Sequence, residues 1–176
     1  MEGKNLRLIL NLNGMMIPIH VENKYTQYIE IIKKECTGYE IMENKPIFVV
    51  TEEGIKKQIY TNSKKNIKQY NIGNLYSNIK IALMNKKADI LFQRIRQWQA
   101  FNDKAIGKVE WKKESDKFYF YYNYNKNQIE ILSDCHYKTF GTIYFSSYEI
   151  AYKTMLKFYD DLIWYYTKYK YRLDSK

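Results

Sequence analysis

The chain has 176 residues, 45% hydrophobic and 27% charged, with 29 Lys and Arg against 19 Asp and Glu for a net charge of +10. That composition is globular, and it excludes a disordered, collagen-like or coiled-coil chain; no apolar run approaches the length of a membrane span. The first residues, MEGKNLRLIL, carry a short apolar stretch broken by Arg7, which argues against a cleavable signal peptide.

The chain opens on a clean alternation. Leu6, Leu8, Leu10 and Leu12 share one face of a strand, Asn13-Gly14 suits a two-residue hairpin turn, and Ile17, Ile19 and Val21 alternate on the return. Pro18 lacks an N–H, so the second strand belongs at a sheet edge. Tyr25, Tyr28, Ile29, Ile32 and Cys36 then fall at helical spacing, ended by Thr37-Gly38 with Gly38 as a left-handed cap. A short apolar strand covers Ile47 to Val50, Glu52-Glu53-Gly54 makes a turn, and Ile55 to Tyr60 gives a further short strand. Residues 61–69 read as a loop or one loose turn, and Ile79, Ile81 and Leu83 alternate as a strand.

Over residues 4–84 the order hairpin, helix, strand, short strand, loop, strand resembles the ubiquitin-like β-grasp. The Asn13-Gly14 hairpin, the 24–36 helix, the edge-strand Pro18 and the Tyr70-Asn71-Ile72 segment carry the resemblance. Met84 runs straight into Asn85-Lys86-Lys87, so conjugation through a free Gly-Gly tail is excluded and a scaffold or docking surface is implied.

Residues 86–104 read as a second helix, with Ala88, Leu91, Ile95, Trp98 and Asn102 at spacings of three and four, widened by Phe92 and Phe101. It either links the two halves or packs on a partner helix. In the last third, Lys117–Tyr124 and Gln128–Ser133 form a hairpin around Asn125-Lys126-Asn127, and Thr139 to Phe145 gives a third strand; a short leading strand at 108–111 is left open. Ser146-Ser147 offers an N-cap and Glu149 favours the first turn of a helix over 147–170, with Ala151, Met155, Phe158, Leu162, Tyr166 and Tyr169 as its buried stripe. The expected class is α+β: residues 1–84 a β-grasp-like domain, 85–105 a linking helix, 106–176 an antiparallel β-meander packed on a long helix.

The stretch TFGTIYFSSYEIAYKTMLKFYDDLIWYYTKYKYRL, preceded by KFYFYYNYNKNQIEI, resembles a C-terminal module of small accessory proteins of phages that infect low-GC Gram-positive bacteria. It spans about residues 108–173, with the IYFSS turn and the Tyr-rich hairpin as its most specific parts. The resemblance implies a phage or prophage origin, a cytoplasmic location in the host cell, and host-directed or anti-defence action, including anti-CRISPR action. No enzymatic motif belongs to that module.

The charge needs decomposing. Lys, Ile, Tyr and Asn together supply 81 residues, and only four basic residues are Arg (Arg7, Arg94, Arg96, Arg172). These residues have AT-rich codons, so part of the +10 reflects coding bias. Arg is the better residue for bidentate phosphate and base contacts, and its scarcity argues against a dedicated sequence reader.

Candidate chemistry is sparse. Asp134-Cys135-His136 is the one cluster with metal-ligand character, and it fits a strand-end turn better than a four-ligand zinc site. Cys135 and His136 point to opposite faces of an extended segment and cannot pair as nucleophile and base. Glu52-Glu53 and Asp160-Asp161 read as solvated surface, and Cys36 and Cys135 as free thiols of a reducing compartment. No phosphate loop, dinucleotide fingerprint or nucleophile elbow occurs, so no enzyme activity, metal or cofactor is expected. Tyr and Trp are favoured interface anchors, and the helix around Ile163, Trp164 and Tyr165 is apolar nearly all round. The expected partner is a host defence protein or ribonucleoprotein, met by Arg94, Arg96, Trp98, Trp111, Lys112, Lys113, Trp164, Tyr165, Lys168, Lys170 and Arg172. The rival expectation is a nucleic-acid-binding protein in which the same lysines and arginines meet phosphates and the rings stack on bases.

Overall fold

The computed structural model describes residues 6–12, 15–21, 37–171 and 173. Contacts divide the chain into two units, Met1–Glu35 and Cys36–Lys176. Among the described residues the first unit is a pair of antiparallel strands, and the second combines helices with antiparallel strands, which gives the chain its α+β class.

In the first unit, β1 (Leu6–Leu12) pairs antiparallel with β2 (Met15–Val21). Leu12 stands opposite Met15 and Ile9 opposite Pro18. The two strands pair only with each other among the described residues, so Pro18 does lie on an edge. The Asn13-Gly14 turn and the helix expected over 24–36 lie outside the described residues.

The second unit starts with β3 (Pro46–Thr51), which is central in a sheet between β4 (Gly54–Ile59) and β5 (Leu75–Tyr76). The β3–β4 turn runs through Gly54 at φ 146°, a conformation open chiefly to glycine. Residues 61–69, expected to be a loop, instead carry most of helix α1 (Lys64–Asn71). Ser63 caps it, and the buried Asn66 holds it down by accepting from Gln58 Nε2 at 2.9 Å and donating to the Thr61 carbonyl at 3.0 Å.

The strand expected over 79–84 is not formed. Those residues open α2 (Ile79–Asn102), which runs unbroken through residue 84. Asn78 caps it by accepting from the Lys80 and Ile81 amides, and its interior holds neither Gly nor Pro. The alternation of Ile79, Ile81 and Leu83 is equally a helical pattern. Ile81 is buried, whereas Ile79 and Leu83, one turn apart, are 45% and 54% exposed on the other side.

α2 serves two cores. Near its start, Ile81 and Ala82 pack with Tyr76 and the half-buried Phe48, Val50, Ile55 and Leu173. Further along, Leu91 and Ile95 join Tyr122, Ile129, Phe145, Ala151, Phe158 and Leu162 in the larger core. Each large apolar side chain buried there contributes roughly 1.5–3 kcal/mol relative to exposure.

The C-terminal elements follow. α3 (Lys108–Trp111) is a single helical turn where the sequence also allows a short leading strand. β6 (Lys117–Asn123) pairs with β7 (Gln128–Asp134), with Tyr122 opposite Ile129. The third strand expected over 139–145 shrinks to one bridge, and it forms on β6, not β7: Phe118 and Phe145 exchange both backbone hydrogen bonds, at 2.9 and 2.7 Å. A tight turn from Thr139 to Thr142, with Gly141 at φ 78°, bends the preceding residues out of strand geometry. Ser147 caps α4 (Tyr148–Lys157) by accepting from the Ile150 amide, and α5 (Tyr159–Lys168) follows after a break at Phe158. The long helix expected over 147–170 is therefore two helices. Phe158, at φ −114° and ψ 19°, interrupts the helical backbone and is itself buried in the core.

Beyond α5 the Leu173 amide donates to the Thr37 carbonyl at 3.0 Å, which brings the far end of this unit back beside its start.

Candidate functional site

The groove between α2 and the α4–α5 pair is where the cations and rings of the sequence converge. Arg94 on α2 reaches Asp161 on α5 at 3.1 Å, and Lys87, two turns earlier, reaches the same carboxylate at 3.9 Å. The Lys87 ammonium also sits 4.1 Å from the centre of the Trp164 ring. The Arg94 guanidinium lies 5.3 Å from the Phe158 ring, and Lys157 lies 4.7 Å from Trp98. Two adjoining depressions of about 250 and 220 Å³ meet at Arg94. Leu83, Ile90 and Leu91 line one of them; Trp98, Phe101 and Phe158 line the other.

The charges here are only loosely committed. Arg94 and Lys87 are about half exposed, and exposed ion pairs are worth ~0–1 kcal/mol. Lys87 and Arg94 share one carboxylate, Asp161, and Lys157 adds a third cation over Trp98, so the groove carries a positive excess that an incoming acid can satisfy. Beside it runs an apolar stripe on the open side of α2. Ile79, Leu83 and Ile90 are 44–54% exposed and Phe101 is 82% exposed.

Arg94 and Arg96 were expected to share one surface. They are two residues apart on one helix, about 200° around its axis, and they diverge. Arg96 instead lines a separate cleft of about 510 Å³ with Lys104, Trp111, Lys138 and Tyr144. Lys112 and Lys113 are exposed just past α3, with the Lys113 carbonyl accepting from the buried Lys117 ammonium at 3.0 Å. Trp98 is half-buried, with one side in the groove, and its indole N–H donates to the buried Thr154 hydroxyl at 3.0 Å. Tyr165 is half-buried, edge-on to Phe92 at 5.1 Å and stacked on Tyr169 at the same distance. Lys168 closes α5 on the surface, Lys170 is exposed beyond it, and Arg172 lies outside the described residues.

The remaining titratable clusters resolve into turns and ion pairs. Asp134 Oδ1 accepts from the Tyr137 and His136 amides at 2.9 and 3.0 Å, and these bonds hold its carboxyl below the usual carboxylate range. Asp134-Cys135-His136 is thus an Asp-anchored turn, with Cys135 a free thiol. Glu53 pairs with Lys56 at 2.6 Å on the surface. Among the described residues no three His, Cys, Asp or Glu side chains converge as metal ligands, and no helix is long and apolar enough to cross a membrane.

The α2 groove was only half visible in the sequence. The sequence points to Arg94, Trp98 and Trp164 as binding residues and reads Asp161 as solvated surface, but it gives no such role to Lys87, Lys157 or the exposed stripe of Ile79, Leu83 and Ile90. The signal that finds the stripe is the i, i+4 spacing of Ile79 and Leu83, which a strand reading hides.

Comparison with known proteins finds no matching family model, no matching curated protein and no matching solved structure.

Proposed function

We propose that this protein is a non-enzymatic accessory protein that acts by binding another protein through the open face of α2. The observation that carries the reading is the exposed apolar stripe of Ile79, Leu83, Ile90 and Phe101 on a 24-residue helix, flanked by the cationic groove of Lys87, Arg94 and Lys157. Exposed apolar surface beside a charged border marks interaction sites. An apolar stripe at helical spacing suits the apolar face of a second helix, and the surplus cations select an acidic one. The partner is therefore a protein presenting an acidic amphipathic helix.

The likeness of residues 108–173 to small phage accessory proteins supports a component of host defence as the target, a protein or nucleoprotein such as a CRISPR effector. The alternative, a basic nucleic-acid-binding protein using Lys and Arg with stacked aromatics, has less geometric support as a single surface because Arg94 and Arg96 face different sides of α2.

The test is a pulldown from cells of a low-GC Gram-positive host, run with the wild-type chain and with a Leu83→Glu/Phe101→Glu variant. Both sites are exposed, so the variant keeps its thermal midpoint. The reading expects a protein retained by the wild type, lost with the variant and weakened by salt. Identical captures with both baits, or none at micromolar bait, overturn it.

A further inference from the structure

The second cleft is built differently from the α2 groove. It lies at the C-terminal end of α2, bounded by that helix, by α3 and by the loop that precedes α4. Its volume, about 510 Å³, is in the range of small-ligand sites. Its wall brings together Arg96 near the end of α2, Lys104 just past it and Lys138 from the loop before α4, with the half-buried ring of Trp111 packed on the buried Tyr144.

One carboxylate, Asp103, is at the wall, and it is already engaged. Its oxygens accept from the Ser146 amide and hydroxyl, from Gln99 Nε2 at 3.1 Å and from the Lys104 amide at 2.8 Å. Asp103 thereby ties the end of α2 to the start of α4, and the three cations keep a net positive balance over the cleft.

The aromatic wall is fixed before any ligand arrives. Trp111 and Tyr144 meet edge to face at 4.9 Å, and the Lys117 ammonium sits 5.3 Å from the Trp111 ring. The Tyr144 hydroxyl accepts from the Thr139 amide at 3.0 Å and donates to the Tyr137 carbonyl at 3.3 Å. Lys138 lies between those two anchored residues, so its backbone is held from both sides. A preformed wall spares the ordering cost that binding otherwise incurs.

Cations alone would take any anion, and rings alone any apolar group. Their union in one cleft suits a ligand with a flat ring and a phosphate. We infer that the cleft lined by Arg96, Lys104, Lys138 and Trp111 binds a nucleotide, with the cations on its phosphate and the half-buried Trp111 ring, backed by the buried Tyr144, against its base. Two sources present that chemistry: a free mononucleotide, and one residue of a single-stranded nucleic acid. This site shares no lining residue with the α2 groove other than their common helix, and it stands independently of the protein-binding reading.

Calorimetric titration of the full chain tests it with four probes: AMP, ribose 5-phosphate, adenosine and a single-stranded hexanucleotide. AMP or the hexanucleotide should bind about tenfold or more tightly than ribose 5-phosphate or adenosine, and affinity should fall with added salt. Preference for AMP assigns the free nucleotide as the source; preference for the hexanucleotide assigns the strand. Arg96→Ala and Lys138→Ala, both at exposed positions, should each weaken binding about fivefold or more with an unchanged thermal midpoint. Trp111→Leu should remove the advantage of AMP over ribose 5-phosphate. Ribose 5-phosphate binding as well as AMP, no binding at millimolar ligand, or affinity indifferent to both cation variants overturns the inference.

Discussion

The indole N–H of Trp98 donates to the hydroxyl of Thr154, and the same hydroxyl donates onward to the Ile150 carbonyl at 2.8 Å. Thr154 is fully buried, so this relay joins α2 to α4 inside the larger core. Among the described residues no buried side-chain nitrogen or oxygen lacks a hydrogen bond. Thr154→Val keeps the shape but strands the Trp98 N–H. Leaving a buried donor unpaired costs roughly 1–3 kcal/mol, and urea denaturation should show a loss of that size. Trp98→Phe in the Thr154→Val background should cost less than Trp98→Phe alone, because the bond is already absent.

Gly38 is a second point of tight fit. Its φ is +94°, and a Cβ there would stand 2.8 Å from Cγ1 of Ile81. Its carbonyl meanwhile accepts from the Ser77 amide at 2.8 Å, which fixes the approach of this segment to the start of α2. Gly38→Ala should therefore destabilise the chain by about 1–3 kcal/mol, through backbone strain and the clash together. Gly73→Ala makes the control: its φ is +76° but a Cβ there meets nothing within 4 Å, so it should cost less.

Buried tyrosines bear on stability at alkaline pH. Burial pushes Tyr166 up to about 12 from an ordinary 10.0, with Tyr165 and Tyr124 adding to it. Burial does the same for Tyr76 and Tyr169, again to about 12, with Tyr39 as the next contributor to both. Below pH 10.0 the folded and unfolded chains hold these protons alike. Above it the unfolded chain releases protons that the folded chain keeps, so stability falls between pH 10.0 and about 12. Absorbance of tyrosinate during an alkaline titration should show a late fraction that appears only as the chain unfolds; complete ionisation of a chain still folded near pH 10.0 would contradict this.

Glu40 works at the other end of the scale. Burial alone would raise its pKa, but hydrogen bonds from the Thr37 amide and hydroxyl, at 2.6 and 2.7 Å, and from the Gly38 amide outweigh that and hold it at about 2. The stabilisation is present above the ordinary 4.5 and is lost as pH falls toward about 2. Glu40→Gln should lower the thermal midpoint at neutral pH, and the gap from wild type should narrow steadily across that window. A gap that stays constant with pH would show that the carboxylate charge is not responsible.

Much of this fold is legible in local pattern. The hairpins β1–β2 and β6–β7 follow from alternation around short turns, and the Ser147 cap is announced by Ser146-Ser147 and Glu149. What misleads is a pattern shared by two structures. Ile79, Ile81 and Leu83 satisfy a period of two, yet the Asn78 cap and the run of good helix formers behind them decide for α2. Phe145 looked like the end of a strand beside β7, but its partner, Phe118, sits on β6, and no local signal names a pairing across 27 residues of sequence. The binding surfaces fail for the same reason. Trp98 lines the α2 groove, but that its N–H is held by Thr154, 56 positions away, no local pattern announces. Arg96, Trp111 and Lys138 share a wall only because the fold brings three segments to one place.

The bond from the Leu173 amide to the Thr37 carbonyl has a topological meaning. Chain direction enters and leaves the second unit at neighbouring backbone groups, so the unit is nearly a ring. Its packing around α2 does not depend on which peptide bond happens to be open. Joining those two ends and cutting instead at the exposed loop around Phe140 would preserve every contact of both cores, a circular permutation that the fold already permits.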